Sequence, residues 1–293
     1  MQHDHQHGHD HGDGDGDGPT SPVPVGGWEV AEVLVLLALG VALVGYAVAR
    51  RAAGTRRAWP ARRTLCWSAG VLCAGAGLVG PVATAARTSF TAHMAAHLLV
   101  GMLAPLLLVL GAPVTLALRA LPVTGARRLT RLLRTVPVRV ATQPVVAGIM
   151  SAGGLWVLYT TGLYPLMHAS VLVHALVHAH VLVWGYAFTA SLVGVDPDPH
   201  RSSVVVRSGV LVGFVAAHSV LARWLYAHPP AGVEAVDGRT GAQLMYYGGD
   251  VVDVLLIVLL LHGWYVSVRP RGALRPTLVP ATPKRPGPVR GDP

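Results

Sequence analysis

The stretch that decides the fold is Ser89 to Pro113, SFTAHMAAHLLVGMLAPLLLVLGAP. It contains no Asp, Glu, Lys or Arg, and it is long enough to cross the hydrocarbon core of a membrane as one helix. Its histidines, His93 and His97, are four residues apart and therefore lie on one helix face, one turn above the other. A histidine inside a membrane is costly without a partner, so the pair predicts a metal site or a buried polar network.

Composition indicates an integral membrane protein. Of the 293 residues, 52% are apolar and only 13% are charged, whereas soluble domains carry about 25% charged residues. The net charge of +9 is no sign of nucleic-acid binding, because the basic residues fall between hydrophobic segments. Cys66 and Cys73 lie roughly 10 Å apart on one helix, too far for a disulfide.

Seven apolar segments predict an all-α, polytopic bundle of about seven transmembrane helices. They cover residues 28–49, 64–80, 89–111, 143–161, 168–193, 204–226 and 243–266. Twenty of the 23 basic residues fall on one side of these spans, and Arg87, Arg223 and Arg239 fall on the other. The positive-inside rule then predicts an outer N-terminus and a cytoplasmic C-terminus in a multi-pass cell-membrane protein. The arginine-rich segment 115–140 is expected along the inner membrane surface, or as a plain basic loop.

Two terminal segments are expected to be disordered, residues 1–27 and 269–293, which leaves residues 28–268 as the transmembrane domain. The first carries alternating histidines at positions 3, 5, 7, 9 and 11 and has no basic n-region of a signal peptide. The alternation favours a loose metal-collecting tail over a solubilising tail or a cloning remnant.

The predicted orientation places ionisable residues of four helices at one depth, roughly 6 to 15 Å below the outer surface at 1.5 Å per residue. This convergence favours a metal site over separate hydrogen-bonded histidines. His180, His228 and His262 are expected to be ordinary. Asp250 and Asp253 could instead orient the ligating histidines or carry protons. Thioethers suit Cu(I), although a methionine is more often core filler. The candidate metal residues are His93, His97, His174, His178, His218, Asp250, Asp253 and Met94.

Four stretches resemble the CtaG-type cytochrome c oxidase assembly factors. They are SFTAHMAAHLLVGMLAPLLLVLGAPVTLALRALP, LYPLMHASVLVHALVHAHVLVWGYAFTASLVGVDPDPH, VLVGFVAAHSVLARWLY and GAQLMYYGGDVVDVLLIVLLLHGWY, in the family's order across residues 64–266. The resemblance implies a non-catalytic protein that handles copper on the outer side, with oxidase subunits and other copper-delivery proteins as partners. A His-Pro frequent in the family's fourth span is replaced here by LYTTGLYP.

Three other functions are compatible with the same residues. Facing histidines on two helices can ligate a b-type haem, although the chain has more histidines than a haem needs. A metal-ion transporter would use the aspartates Asp250 and Asp253, yet no comparable polar residue is found in the inner half of the spans. A purely structural oxidase subunit is the fourth hypothesis.

Overall fold

The computed structural model describes residues 26–54, 58–197 and 201–268, so most of both predicted terminal segments lies outside the described residues. Within these ranges the protein contains helices and no strand, which confirms the all-α prediction. The helices are α1 (Gly26–Ala52), α2 (Ala61–Leu78), α3 (Pro81–Ala85), α4 (Phe90–His97), α5 (Ala104–Leu110), α6 (Pro113–Ala120), α7 (Val123–Leu133), α8 (Val136–Ala141), α9 (Pro144–Thr160), α10 (Leu163–Ala169), α11 (Val171–Val193), α12 (Val204–Ala227) and α13 (Ala235–Val268).

Six spans of the described chain are long and apolar enough to cross a membrane, and the count reaches seven if α9 and α10 form one broken span. The axes of α9 and α10 differ by 81° across the break between Thr160 and Leu163. The sequence predicted one apolar span over residues 143–161 and the next over residues 168–193. The break instead places His168 in α10, and α11 begins after the N-cap Ser170.

The central span is irregular directly after its histidines. Residues Leu98–Leu103 form a π-helical segment between α4 and α5. A π segment inside an α-helix shifts the side chains that follow it and is frequent at functional sites. At this point α11 approaches closely, because a Cβ on Gly185 would collide with the Gly101 carbonyl oxygen. Small residues on both helices permit this contact.

The arginine-rich segment forms three short helices, α6, α7 and α8. None of the side chains of α7 is buried, and arginines occupy one side of this helix. The start of α6 is held by Asp196, whose Oδ1 accepts the Thr115 backbone N–H at 2.8 Å and the Thr115 hydroxyl at 2.6 Å. The segment is therefore helical and is docked at the end of α11.

Two hydrophobic clusters fill the bundle, one at each end. We call the end at which α4 begins the outer end, following the predicted orientation. The inner cluster is apolar and includes Met102, Leu106 and Leu256. The outer cluster includes Phe90, Met94 and Tyr159. The histidines of α4 lie in this outer part of the bundle.

Candidate histidine site

Helix α4 places both of its histidines in the interior. Ser89 caps the helix by accepting the Ala92 N–H, and the following turns bury His93 and His97 to 4% and 7% exposure. The two side chains meet different neighbours. His93 contacts α9, α10 and α11, whereas His97 faces α12.

The outer group is centred on His93. Its Nε2 atom is hydrogen-bonded to the Tyr159 hydroxyl at 3.0 Å. The His93 ring centroid lies 5.3 Å from that of Tyr164, 5.9 Å from that of His168 and 6.4 Å from that of His178. Three imidazoles from three helices therefore surround one small volume.

Two members of the outer group present a free acceptor nitrogen. His168 donates Nδ1–H to the Tyr164 carbonyl oxygen at 3.0 Å, and His178 donates Nδ1–H to the His174 carbonyl oxygen at 2.9 Å. Because the carbonyl must accept, the Nδ1 proton is fixed and Nε2 keeps its lone pair in the neutral ring. That is the tautomer in which Nε2 can bind a metal ion.

A cavity of about 210 Å³ borders this group between α1, α2 and α11. His174 and His178 line it, with their ring centroids 4.2 Å apart, and Trp28 contacts the His174 ring edge-on. Arg87 and Glu32 also line the cavity and form an ion pair at 2.7 Å. The cavity thus lies at the outer end of the bundle, beside His174 and His178.

A second group, which we call the inner pair, consists of His97 and His218. His97 lies one helical turn further along α4 than His93 does. The ring centroids of His97 and His218 are 6.2 Å apart and their planes differ by 26°. His218 is 2% exposed, and the Nε2 atoms of both rings are buried with no hydrogen-bond partner among the described residues. An unsatisfied buried polar atom costs about 1–3 kcal/mol, so this pair is an unusual feature of a packed interior.

The other candidate residues are separated from these groups. Met94 is fully buried, and its sulfur lies 3.9 Å from the Tyr159 oxygen, beside the outer group. Asp253 is 2% exposed, and neither of its carboxylate oxygens has a hydrogen-bond partner within residues 26–54, 58–197 and 201–268. Neither Asp250 nor Asp253 has a hydrogen bond or ion pair with a histidine among the described residues, so the structure gives no support for an aspartate that orients a ligand.

No group of three or more His, Cys, Asp or Glu side chains in the described ranges is arranged to hold a metal ion. The eight predicted residues therefore do not form one shared centre. They divide into an outer group, an inner pair and two separate aspartates, Asp250 and Asp253. His180, expected to be ordinary, points away and donates Nε2–H to the Met150 carbonyl oxygen at 3.1 Å.

Three residues of the site were not among the predicted ones: Tyr159, Tyr164 and His168. The only sequence signal for them was the stretch LYTTGLYP followed by Leu166, Met167 and His168, in which Thr, Gly and Pro interrupt the apolar pattern. Such an interruption predicts a helix break, and a break brings side chains of two short helices to one place.

These features define a polytopic helical membrane protein with buried histidines concentrated in one half of its bundle. Comparison with known proteins identifies the family. The chain belongs to the cytochrome c oxidase caa3 assembly factors, the Caa3_CtaG family, whose model matches residues 42–267. The resemblance noted from the four sequence stretches is thereby confirmed.

Three curated mycobacterial proteins are similar to the chain. Uncharacterized proteins of Mycobacterium bovis and Mycobacterium tuberculosis are each 35% identical over 196 residues, which are 63% of this chain and 28% of theirs. One of Mycobacterium leprae is 29% identical over 256 residues, 78% of this chain and 38% of that protein. The chain thus spans between a quarter and two fifths of these relatives. No solved structure matches it.

Proposed function

We propose that this protein is a non-catalytic assembly factor for cytochrome c oxidase that binds copper transiently through its buried histidines in the cell membrane. The family supports the oxidase part of the proposal. The observation that carries the copper part is the pair of buried Nε2 atoms on His97 and His218, which have no hydrogen-bond partner in the part of the chain that the structure describes. Imidazole is a good ligand for copper and a poor one for Mg²⁺ or Ca²⁺.

The arrangement suggests an order of contact for the ion. It would enter at the cavity beside His174 and His178, meet His93 and His168, and reach the inner pair one helical turn deeper. Oxidase subunits and other copper-delivery proteins would be the partners at the outer end. Copper is here the cargo of the protein, and its release requires that no site hold it with a full ligand set.

The structure favours neither of two alternative functions. A transporter needs a polar path to the inner end, where the buried side chains of Ser191 and Arg207 donate hydrogen bonds to the backbone carbonyl oxygens of Phe188 and Leu192. A b-type haem between His97 and His218 would need space for its macrocycle, but Gly249 of α13 is in close contact with the His218 ring. A reduced-minus-oxidised visible spectrum of the purified protein tests the haem alternative directly.

The test of the proposed function is substitution of His97 by Ala and by Asn in a host that needs this protein for oxidase maturation. Asn keeps hydrogen-bonding capacity and removes the imidazole ligand. We expect both variants to reach the membrane in normal amounts, to abolish maturation and to lose copper. The control is His262→Asn, because His262 is an exposed histidine near the C-terminal end of α13. Normal maturation with His97→Asn would refute a ligand role for His97.

A further inference from the structure

The separation of the two rings in the inner pair matches that in a specific kind of metal site. A metal–imidazole nitrogen bond is about 2.0 Å long, which puts the metal roughly 3 Å from the ring centroid. Two imidazoles on opposite sides of one ion therefore have centroids about 6 Å apart. The ring centroids of His97 and His218 are 6.2 Å apart, and both Nε2 atoms are buried without a hydrogen-bond partner in the described ranges.

The number of ligands at this pair restricts which ion can bind. Structural Zn²⁺ takes four protein ligands, and Ca²⁺ or Mg²⁺ takes six or more oxygens. No third His, Cys, Asp or Glu of the described chain joins the two imidazoles. Two collinear nitrogen donors are a sufficient ligand set for a monovalent ion with a filled d shell, Cu(I) or Ag(I). Such an ion also carries less charge into a dry site than a divalent ion does.

The surroundings keep the rings in place and exclude water. A Cβ added to Gly249 would lie 2.5 Å from His218 Cε1, and one added to Gly101 would lie 3.2 Å from His97 Cε1. Helix backbone therefore contacts the edge of each ring, and neither ring can turn freely. The Phe214 ring, 5.9 Å from that of His218, provides an apolar neighbour. A hydrated divalent ion would lose its water here without replacement.

We propose that His97 and His218 form a two-coordinate site that selects monovalent Cu(I) over divalent ions, with the ion between the two Nε2 atoms. The inference deepens the proposed function by naming the oxidation state and the ligands, and only its biological purpose rests on that function. A two-ligand site also suits a carrier, because an acceptor that offers a third ligand can remove the ion.

The experiment uses purified full-length protein and Ag(I), a redox-inert probe for Cu(I), in competition with a chelator. Zn(II) is titrated in parallel. Residues 1–18 carry five further histidines, so all variants keep the same tail. We expect one tight Ag(I) site, weakened more than about 100-fold by His97→Asn or His218→Asn, since loss of a group that only supports a ligand already costs 10–100-fold. Zn(II) binding should not change in these variants.

A glycine pair gives the matched control. Gly249→Ala would push on the His218 ring, whereas Gly248→Ala would meet only a methyl group of Leu98, at the end of a flexible side chain. We expect Gly249→Ala to lose the Ag(I) site and Gly248→Ala to keep it. If Gly249→Ala fails to fold, the two His→Asn variants still decide the question.

Two further results separate this inference from the proposed function. Unchanged Ag(I) affinity in both His→Asn variants, or X-ray absorption of the Cu(I) form showing three or four ligands at this site, would overturn the two-coordinate site even if oxidase maturation depends on His97. Conversely, an intact two-nitrogen Cu(I) site in the native protein, together with normal maturation of His97→Asn, would retain the site and reject the assembly function.

Discussion

Asp237, at the start of α13, accepts the backbone N–H of Phe90 at 2.6 Å, 147 residues away in sequence. The same carboxylate accepts the Thr91 N–H at 3.1 Å and the Ser89 hydroxyl at 3.1 Å. The two backbone N–H groups belong to the first turn of α4, where they have no partner within the helix. The last helix of the chain thus fixes the position and direction of the helix that carries His93 and His97.

The first prediction concerns this anchor. Asp237→Ala should lower the stability of the detergent-solubilised protein by about 0.5–2 kcal/mol, the usual effect of removing a helix N-cap. Asp237→Asn keeps one acceptor oxygen and should have a smaller effect. The measurement is thermal unfolding, with Glu234→Ala as the control for removing a nearby exposed carboxylate. Equal unfolding temperatures for Asp237→Ala and Glu234→Ala would contradict the anchoring role.

Tyr159 supports the second prediction. Tyr159→Phe leaves the buried Nε2 of His93 without its partner, which should cost about 1–3 kcal/mol of stability. Tyr164→Phe is the control, because the Tyr164 hydroxyl makes no hydrogen bond with the described residues. Ag(I) binding at the inner pair should be the same in both variants. A Tyr159→Phe protein as stable as the Tyr164→Phe protein would show that the bond contributes nothing.

Local spacing in the sequence predicted the part of the site that lies on single helices. His174 and His178 share a helix face as the four-residue spacing requires, and His180 points elsewhere. His93 and His97 are both buried, but they contact different helices. The break before Ser170 was missed because the predicted span began at His168, although Ser170 is a residue type that commonly caps a helix N-terminus. The π segment and the role of Asp237 could not be predicted from the sequence, because both depend on contacts between distant parts of the chain.

Gly185 provides a third prediction, on helix packing. Gly185→Ala would insert a methyl group between α11 and the carbonyl of Gly101, and it should destabilise the protein by about 1–3 kcal/mol as an overpacked contact does. Gly153→Ala is the matched control, since a Cβ there meets nothing within 4 Å. That variant should be about 0.5–1 kcal/mol more stable, because alanine is the better helix former. The pair is compared by thermal unfolding, and equal shifts would refute the close contact.

The orientation of the bundle gives a fourth prediction. Twenty of the 23 basic residues lie on the predicted cytoplasmic side, so a reporter fused at Gly54 should report the cytoplasm and one at Gly232 the outside. Gly232 is suitable because it lies in the turn between α12 and α13, with a positive φ of 83°. The opposite signal at either position would place the histidines in the inner half and reverse the proposed direction of entry.

The last prediction separates the N-terminal tail from the bundle. Residues 1–18 hold five alternating histidines and lie outside the described residues, while the proposed ion-binding pair is buried between α4 and α12. A tail that only collects metal raises the local concentration of copper and becomes dispensable when copper is abundant. Deletion of residues 1–18 should therefore lower oxidase maturation in copper-limited medium and leave it normal in copper-rich medium. His97→Asn should fail in both media, because added copper cannot replace a lost ligand in the bundle. Loss of maturation by the deletion at every copper level would show that the tail has a role beyond collection.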